Sequence, residues 1–223
     1  MYFCALKMKK RIYSKIEKAA VSKLPKVQYP GKIVVVLTER EAEQAVDYLL
    51  AQPILGLDTE TRPSFHRGKR YKCALLQVAS RDYCFLFRLN HIGLAPAVVR
   101  LLEDCTVRKV ALAWKNDLVA LRELGAFSRG EFIDIQDVVA EIGIQDQSLV
   151  KIYANLFEER ISKNERLSNW ERDVLSEQQK AYAAIDAWAC IRIDEEIRRL
   201  QETGDYELVK VEETVPKDET DIS

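Results

Sequence analysis

The sequence predicts an α/β fold, a mixed sheet flanked by helices, on three observations. Apolar runs near residues 54–60, 72–79 and 83–87 follow one another through connections short enough for antiparallel pairing. Strand and helix patterns then alternate from Arg108 onward, and one long helical pattern closes the chain. Helices interleaved with strands must pack on the faces of the sheet that those strands form.

Each element has a local reason. Ile33 to Leu37 reads as a strand, and Thr38 with Glu41 three residues on makes a capping box for a helix through about Ala51. After the three apolar strands, Leu94 to Glu103 reads as a helix. Arg108 to Ala113 is a short strand, and Lys115 to Leu124 is a helix stopped at Gly125. Phe132-Ile133 is a brief strand before Asp134, which caps the next helix; helices are expected near 135–143 and 148–157. Ser176 with Gln179 opens a long helix through about Leu200, with Thr203-Gly204 closing it.

Composition narrows the class. A chain of 223 residues with 48% hydrophobic content suits one domain with short appendages. No apolar stretch approaches the roughly 18 residues a membrane helix needs, so no membrane partner is expected. Met1 to Leu6 is too short for a signal segment and its lysines follow rather than precede it; Met8 is an alternative start. Five cysteines (Cys4, Cys73, Cys84, Cys105, Cys190) lack CxxC spacing, which points to free thiols in a reducing cytoplasm and to neither disulfides nor zinc. The net charge of −1 is no basic footprint, but its distribution is uneven. Residues 1–32 hold nine Lys/Arg against Glu17, and the tail from Gln201 holds eight acids against Lys210 and Lys217. The chain therefore divides into a basic extension (1–32), a domain (33–200) and an acidic tail (201–223). Both ends read as solvated and mobile, with a phosphate-touching N-terminal arm as the alternative.

Chemistry concentrates in a few acids. The run Ile54-Leu55-Gly56-Leu57-Asp58-Thr59-Glu60-Thr61 is a buried-strand pattern carrying two carboxylates two residues apart, hence on one face. In the helical stretch Gln179 to Trp188, Tyr182 and Asp186 stand a turn apart on one face, among small apolar residues that let the helix lie close to a strand. Singly these are ambiguous. Asp58 and Glu60 would suit a solvated strand end, Asp117 a first helical turn complementing the dipole, and Tyr182 a core position. Together, acids on apolar elements call for hard divalent cations bound through oxygen, since buried carboxylates need compensation.

Leu57-Asp58-Thr59-Glu60-Thr61, the segment Trp114 to Leu121, and Leu167-Ser168-Asn169-Trp170-Glu171 leading to Tyr182-Ala183-Ala184-Ile185-Asp186-Ala187 resemble three ordered motifs. They are those of the ribonuclease D/Werner-type 3′–5′ exonuclease family, in the tyrosine branch of the DEDD superfamily. The sister branch has His where this chain has Ala181. The resemblance covers residues 33 to 200 and implies a ribonuclease-H-like mixed sheet of five to six strands. It also implies a two-metal-ion exonuclease that releases nucleoside monophosphates from the 3′ end of DNA or RNA. Its cofactors would be two divalent cations, Mg²⁺ or Mn²⁺. On this basis Asp58, Glu60, Asp117 and Asp186 would hold the metals, with Asp58 bridging and Asp117 acting through water. Tyr182 would aim the attacking water, and Thr59 and Thr61 would contact the terminal nucleotide.

The loop Arg62 to Tyr71 adds Arg62, Arg67, Lys69 and Arg70 interleaved with Phe65, His66 and Tyr71 and no acid. That pattern suits the 3′ ends of single strands or partial duplexes, or alternatively a solvated hairpin tip. Lys163, Arg166, Ser168, Asn169 and Trp170 occupy a stretch that buttresses the site in the family, with Trp170 packing rather than stacking. Glu171 to Leu175 replaces the Arg-Pro-Leu run of ribonuclease D proper, so a Werner-like exonuclease is the nearer resemblance. A non-catalytic nucleic-acid-binding module of the same fold is the rival reading; the four acids and the tyrosine argue against it.

Overall fold

The computed structural model describes residues 9–211. The expectations for Met1 to Leu6, Cys4 and Met8, and for the acids beyond Val211, lie outside them. In chain order the elements begin with β1 (Lys10–Tyr13), α1 (Lys18–Ser22), β2 (Lys32–Val36) and α2 (Glu39–Leu50). Strands β3 (Ile54–Thr61), β4 (Cys73–Ala79) and β5 (Tyr83–Phe87) follow, then α3 (Leu89–Ile92) and α4 (Pro96–Glu103). The rest are β6 (Arg108–Ala111), α5 (Lys115–Arg122), β7 (Ile133–Asp134), α6 (Ile135–Glu141), α7 (Leu149–Phe157), α8 (Glu177–Thr203) and β8 (Tyr206–Val209).

Local chemistry accounts for the boundaries. The Thr38–Glu41 box forms, with Thr38 N–H donating to the Glu41 carboxylate at 3.0 Å and Glu41 N–H to Thr38 Oγ1 at 3.2 Å. Ser176 and Gln179 repeat it on α8, which ends at Gly204 in the left-handed region. The helix expected from Leu94 instead begins at Pro96. Gly93, at φ 58°, breaks the chain after the short α3, and Pro96 starts α4, where a missing N–H costs nothing.

Six strands form one sheet in the order β2-β5-β4-β3-β6-β7. β3–β4 and β4–β5 are antiparallel, as their short connections require, and β2–β5, β3–β6 and β6–β7 are parallel. Two buried clusters cover its faces. One holds Ile54, Val110, Ile135, Ile152 and the inner side of α8. The other holds Leu55, Leu57, Leu49, Val98, Leu101 and Leu121. β3 therefore alternates, with its even positions toward α8 and its odd positions toward α2, α4 and α5.

Within the described residues, 9–32 and 201–211 are not the solvated ends expected. β1 pairs in parallel with β8, and Ile12 is wholly buried. Tyr13 exchanges backbone hydrogen bonds with the Asn155 side chain of α7 at 2.9 and 2.6 Å, and Ile16 N–H donates to Asp146 at 2.8 Å. The cause is apolar spacing within a basic stretch: Ile12, Val21 and Val27 each bury against the domain while the lysines around them stay at the surface.

α8 lies against β3 more closely than side chains would permit. A Cβ on Gly56 would fall 1.9 Å from the Ala187 carbonyl oxygen, so the helix backbone rests on bare strand. Gly56→Ala should therefore lower unfolding free energy by about 1–3 kcal/mol, the usual cost of overpacking, in a denaturant titration. It should also reduce whatever chemistry depends on Asp58, two residues away.

Candidate metal centre

Even-numbered positions of β3 carry Asp58 and Glu60 to the face that α8 covers, and α8 brings Asp186 to meet them. Each of these three carboxylates offers an oxygen within 4.8 Å of the others. Glu60 and Asp186 are each only 8% exposed, so they stand together largely out of water. Tyr182, one turn before Asp186, lines the same cleft and lies close enough for its hydroxyl to lower the Asp186 pKa. Trp170 is fully buried with its ring 6.0 Å from that of Tyr182, a packing contact.

Asp117 approaches from the other side. Thr59 points to the opposite face of β3 from its neighbours, and its hydroxyl donates to the Asp117 carboxylate in the first turn of α5. Thr59, expected to contact substrate, is thus engaged with a predicted metal ligand. Thr61 is half-buried and pairs with Cys73 just after a register shift in the β3–β4 ladder.

Sequence reading missed Gln77 as a supporting residue and gave Asp134 only a capping role. Gln77, opposite Asp58 in the β3–β4 register and wholly buried, donates from its amide to Asp58 at 3.3 Å. Its signal was available as a lone polar residue in the buried run Cys73 to Ala79. Asp134 does more than cap α6: it also accepts from Ala113 N–H at 3.0 Å and Trp114 N–H at 3.2 Å.

Asp58 and Asp186 line a cleft of about 360 Å³ together with Tyr182, Ser148, Ser162, Lys163, Arg166 and Cys190. Lys163 draws the Asp186 pKa down and Arg166 that of Glu60, which places both cations near the cluster. The loop after β3 forms a separate cleft from Arg62, Phe65, His66, Lys69 and Tyr71 with Leu167 and Asn169. There Arg62 pairs with Glu171 at 3.3 Å and lies 4.6 Å from the Tyr71 ring centre, with Lys69 4.9 Å from the same centre. Arg67 and Arg70 are exposed and line neither cleft.

Burial dominates the electrostatics, with like charge adding to it at Asp58 and Glu60. Burial, then the charge of Asp186 and Asp117, raises Glu60 to about 9. Burial lifts Asp186 to about 7 against the opposing pull of the Tyr182 hydroxyl and Lys163. Burial likewise takes Asp117 to about 6 despite the Thr59 hydrogen bond. Asp58 is pushed well above the carboxylate range by burial and by all three acids. A divalent cation would relieve this repulsion. The donor set fits a hard one: clustered carboxylate oxygens, with no His in the group. Burial raises the neighbouring Cys190 thiol, which donates to the Asp186 backbone carbonyl at 3.5 Å.

With the geometry in hand, comparison with known proteins identifies the family. Residues 33–202 match the model of the 3′–5′ exonuclease domain family. The mouse bifunctional 3′-5′ exonuclease/ATP-dependent helicase WRN is 29% identical over 217 residues, covering 90% of this chain and 16% of that protein. An Arabidopsis thaliana 3′-5′ exonuclease is 29% identical over 181 residues, covering 74% of this chain and 63% of that one. The chain thus spans less than two thirds of either relative. The EXO domain of Aedes aegypti Nibbler superposes with a TM-score of 0.69 at 18% identity, over 78% of this chain and 91% of that one. Brucella melitensis NrnC with bound Mg²⁺ does so at 0.58 and 21%, over 80% and 85%. These structures share the fold. The chain belongs to the 3′–5′ exonuclease family.

The raised carboxylates make metal binding and stability depend on pH. In the unfolded chain these acids ionise near pH 4, whereas the folded, chelated protein keeps protons up to about 6, 7 and 9. The folded state binds more protons across that window, so the melting temperature in excess chelator should fall as pH rises from 4 to 9. Asp58→Asn should blunt the fall. Calorimetric titration with Mn²⁺ should tighten over the same range and release protons, because ligands must ionise to bind. A melting curve in chelator that is flat across this window would contradict the crowded cluster.

Proposed function

We propose that this protein is a 3′–5′ exonuclease that hydrolyses phosphodiester bonds one nucleotide at a time at the 3′ end of a nucleic-acid strand, releasing nucleoside monophosphates. The observation that carries the reading is the cluster of Asp58, Glu60 and Asp186, two of which line a cleft with Tyr182, Lys163 and Arg166. Membership of the exonuclease family and the Mg²⁺ held by NrnC support divalent cations here. Asp58, Glu60 and Asp186 would hold two of them, with Asp117 contributing through water. When bound, the cations supply the charge that acidifies the attacking water and offsets the developing charge on the leaving oxygen.

The chain's own residues do the rest. Burial and the neighbouring carboxylates push the Tyr182 phenol far above its ordinary value, so it remains a neutral O–H at physiological pH. It therefore acts by orientation, holding the attacking water in line with the phosphorus, and not as a base. Lys163 and Arg166 line the cleft with the acids and suit the phosphate of the terminal nucleotide. Arg62 and Lys69, stacked on Tyr71, offer charge and ring faces to the nucleotides behind it. A reducing, cytoplasmic setting belongs to this proposal on the cysteine spacing alone.

A 5′-labelled oligonucleotide with Mg²⁺ or Mn²⁺ should yield a descending ladder that chelation abolishes, while a circular single strand survives. Cutting of the circle would mean an endonuclease. Matched DNA and RNA strands in the same assay determine the sugar preference. Tyr182→Phe should slow single-turnover cleavage by roughly 10- to 1000-fold, about 1.4–4 kcal/mol of barrier, and leave strand and Mn²⁺ binding within a few fold. Unchanged cleavage would reduce Tyr182 to packing. Lys163→Ala should chiefly weaken strand binding and make it less salt-dependent, read as a smaller slope of log affinity against log salt.

A further inference from the structure

Between the parallel strands β6 and β7 the chain makes a turn that the sequence disguises. Leaving β6 at Ala111, it reaches Ala113 at φ 53°, a left-handed conformation that alanine rarely adopts. Two successive backbone N–H groups there, of Ala113 and Trp114, converge on the two carboxylate oxygens of Asp134, at 3.0 Å to Oδ1 and 3.2 Å to Oδ2. α5 starts from this turn: Asn116 N–H donates to the Ala113 carbonyl at 3.3 Å, and Leu118 N–H to that of Trp114 at 3.0 Å. Asp117 stands between them and meets Thr59 at the far end. Asp134 is itself held in register, opposite Ala111 at the end of β7. It lines a groove with Trp114, Asn116 and Asp137, distinct from the cleft that holds Asp58, Tyr182 and Asp186.

We propose that Asp134 is a positioning residue for the reaction: by binding the Ala113 and Trp114 N–H groups it holds open the turn that sets where Asp117 stands beside β3. This rests on the role of Asp117 in the proposed function. The chemistry asks for a carboxylate because two acceptor oxygens spread over two adjacent N–H groups, with one of them also capping α6 through Gln136 N–H at 3.0 Å. An amide offers a single acceptor oxygen. A serine would cap α6 as well as aspartate does but is too short to reach the turn.

Asp134→Ser and Asp134→Asn separate these roles. Both should remain folded by circular dichroism, the serine variant with α6 still capped. Each should lower the rate constant roughly 10- to 100-fold, the usual cost of losing a partner that orients a metal-holding group, with KM for a 5′-labelled strand unchanged within a few fold. Mn²⁺ affinity by calorimetry should fall in parallel, a readout that needs no turnover. On an Asp117→Asn background the same substitutions should cost almost nothing further, because Asp134 works through Asp117. Multiplied losses in the double variant, or a full rate with only a lowered melting temperature, would overturn the proposal. If one variant does not fold, the other carries the same comparison. If the wild-type protein cleaves no strand, the exonuclease reading fails, while Mn²⁺ calorimetry on wild type and Asp134→Ser still decides the positioning claim.

Discussion

Three mutually repelling carboxylates are held within 4.8 Å of one another by the contact of α8 with β3. Like charges in a poorly hydrated place move apart or take up protons unless the backbone forbids the first. Here it does. Gly56 lets the Ala187 carbonyl rest on the strand, and Asp186 sits one residue before that contact. The helix is also pinned farther along, where the fully buried Asp194 takes a bidentate pair from Arg108 of β6 at 3.0 and 2.6 Å. With the backbone fixed at these points, the repulsion has one outlet besides protonation, which is a cation.

The surrounding polar groups share the work of aiming the acids. Gln77 reaches Asp58 from the neighbouring strand, Thr59 reaches Asp117 through the sheet, and Asp134 holds the turn from which Asp117 springs. Each comes from a different strand, so the geometry of the site is tied to the register of the sheet and not to any one loop. A rigid sheet suits this task because its ladders cannot slip by one residue without exchanging buried for exposed faces. The proposed substrate contacts fall instead in the less regular segments 62–71 and 158–170, as loop segments suit adaptable binding.

Charge at the ends of the chain hides structure. A stretch dense in lysine looks like a solvated arm, yet β1 buries Ile12 and is completed by β8 from the opposite end of the chain. The two termini therefore close the α7 side of the domain together. Lys10 pairs with Glu196 of α8 and lies 5.3 Å from the centre of the Phe157 ring, so even the basic residues contribute through packing.

What the sequence alone determined was local and ordered: both capping boxes, the antiparallel run β3–β4–β5, the same-face pair Asp58 and Glu60, and the helical pair Tyr182 and Asp186. These follow from spacing, since periods of 2.0 and 3.6 residues assign faces without reference to the rest of the chain. The motif order added the family, and with it a reason to expect Asp117 to join them. Tertiary structure alone decided the long-range matters. It grouped three acids and assigned the fourth to Thr59, it paired Gln77 with Asp58 and Asp134 with the Ala113 turn, and it joined β1 to β8 across the whole chain. No spacing encodes these contacts. They arise when strands distant in sequence take a common register and a helix settles on bare backbone, and both depend on the packing of the assembled sheet.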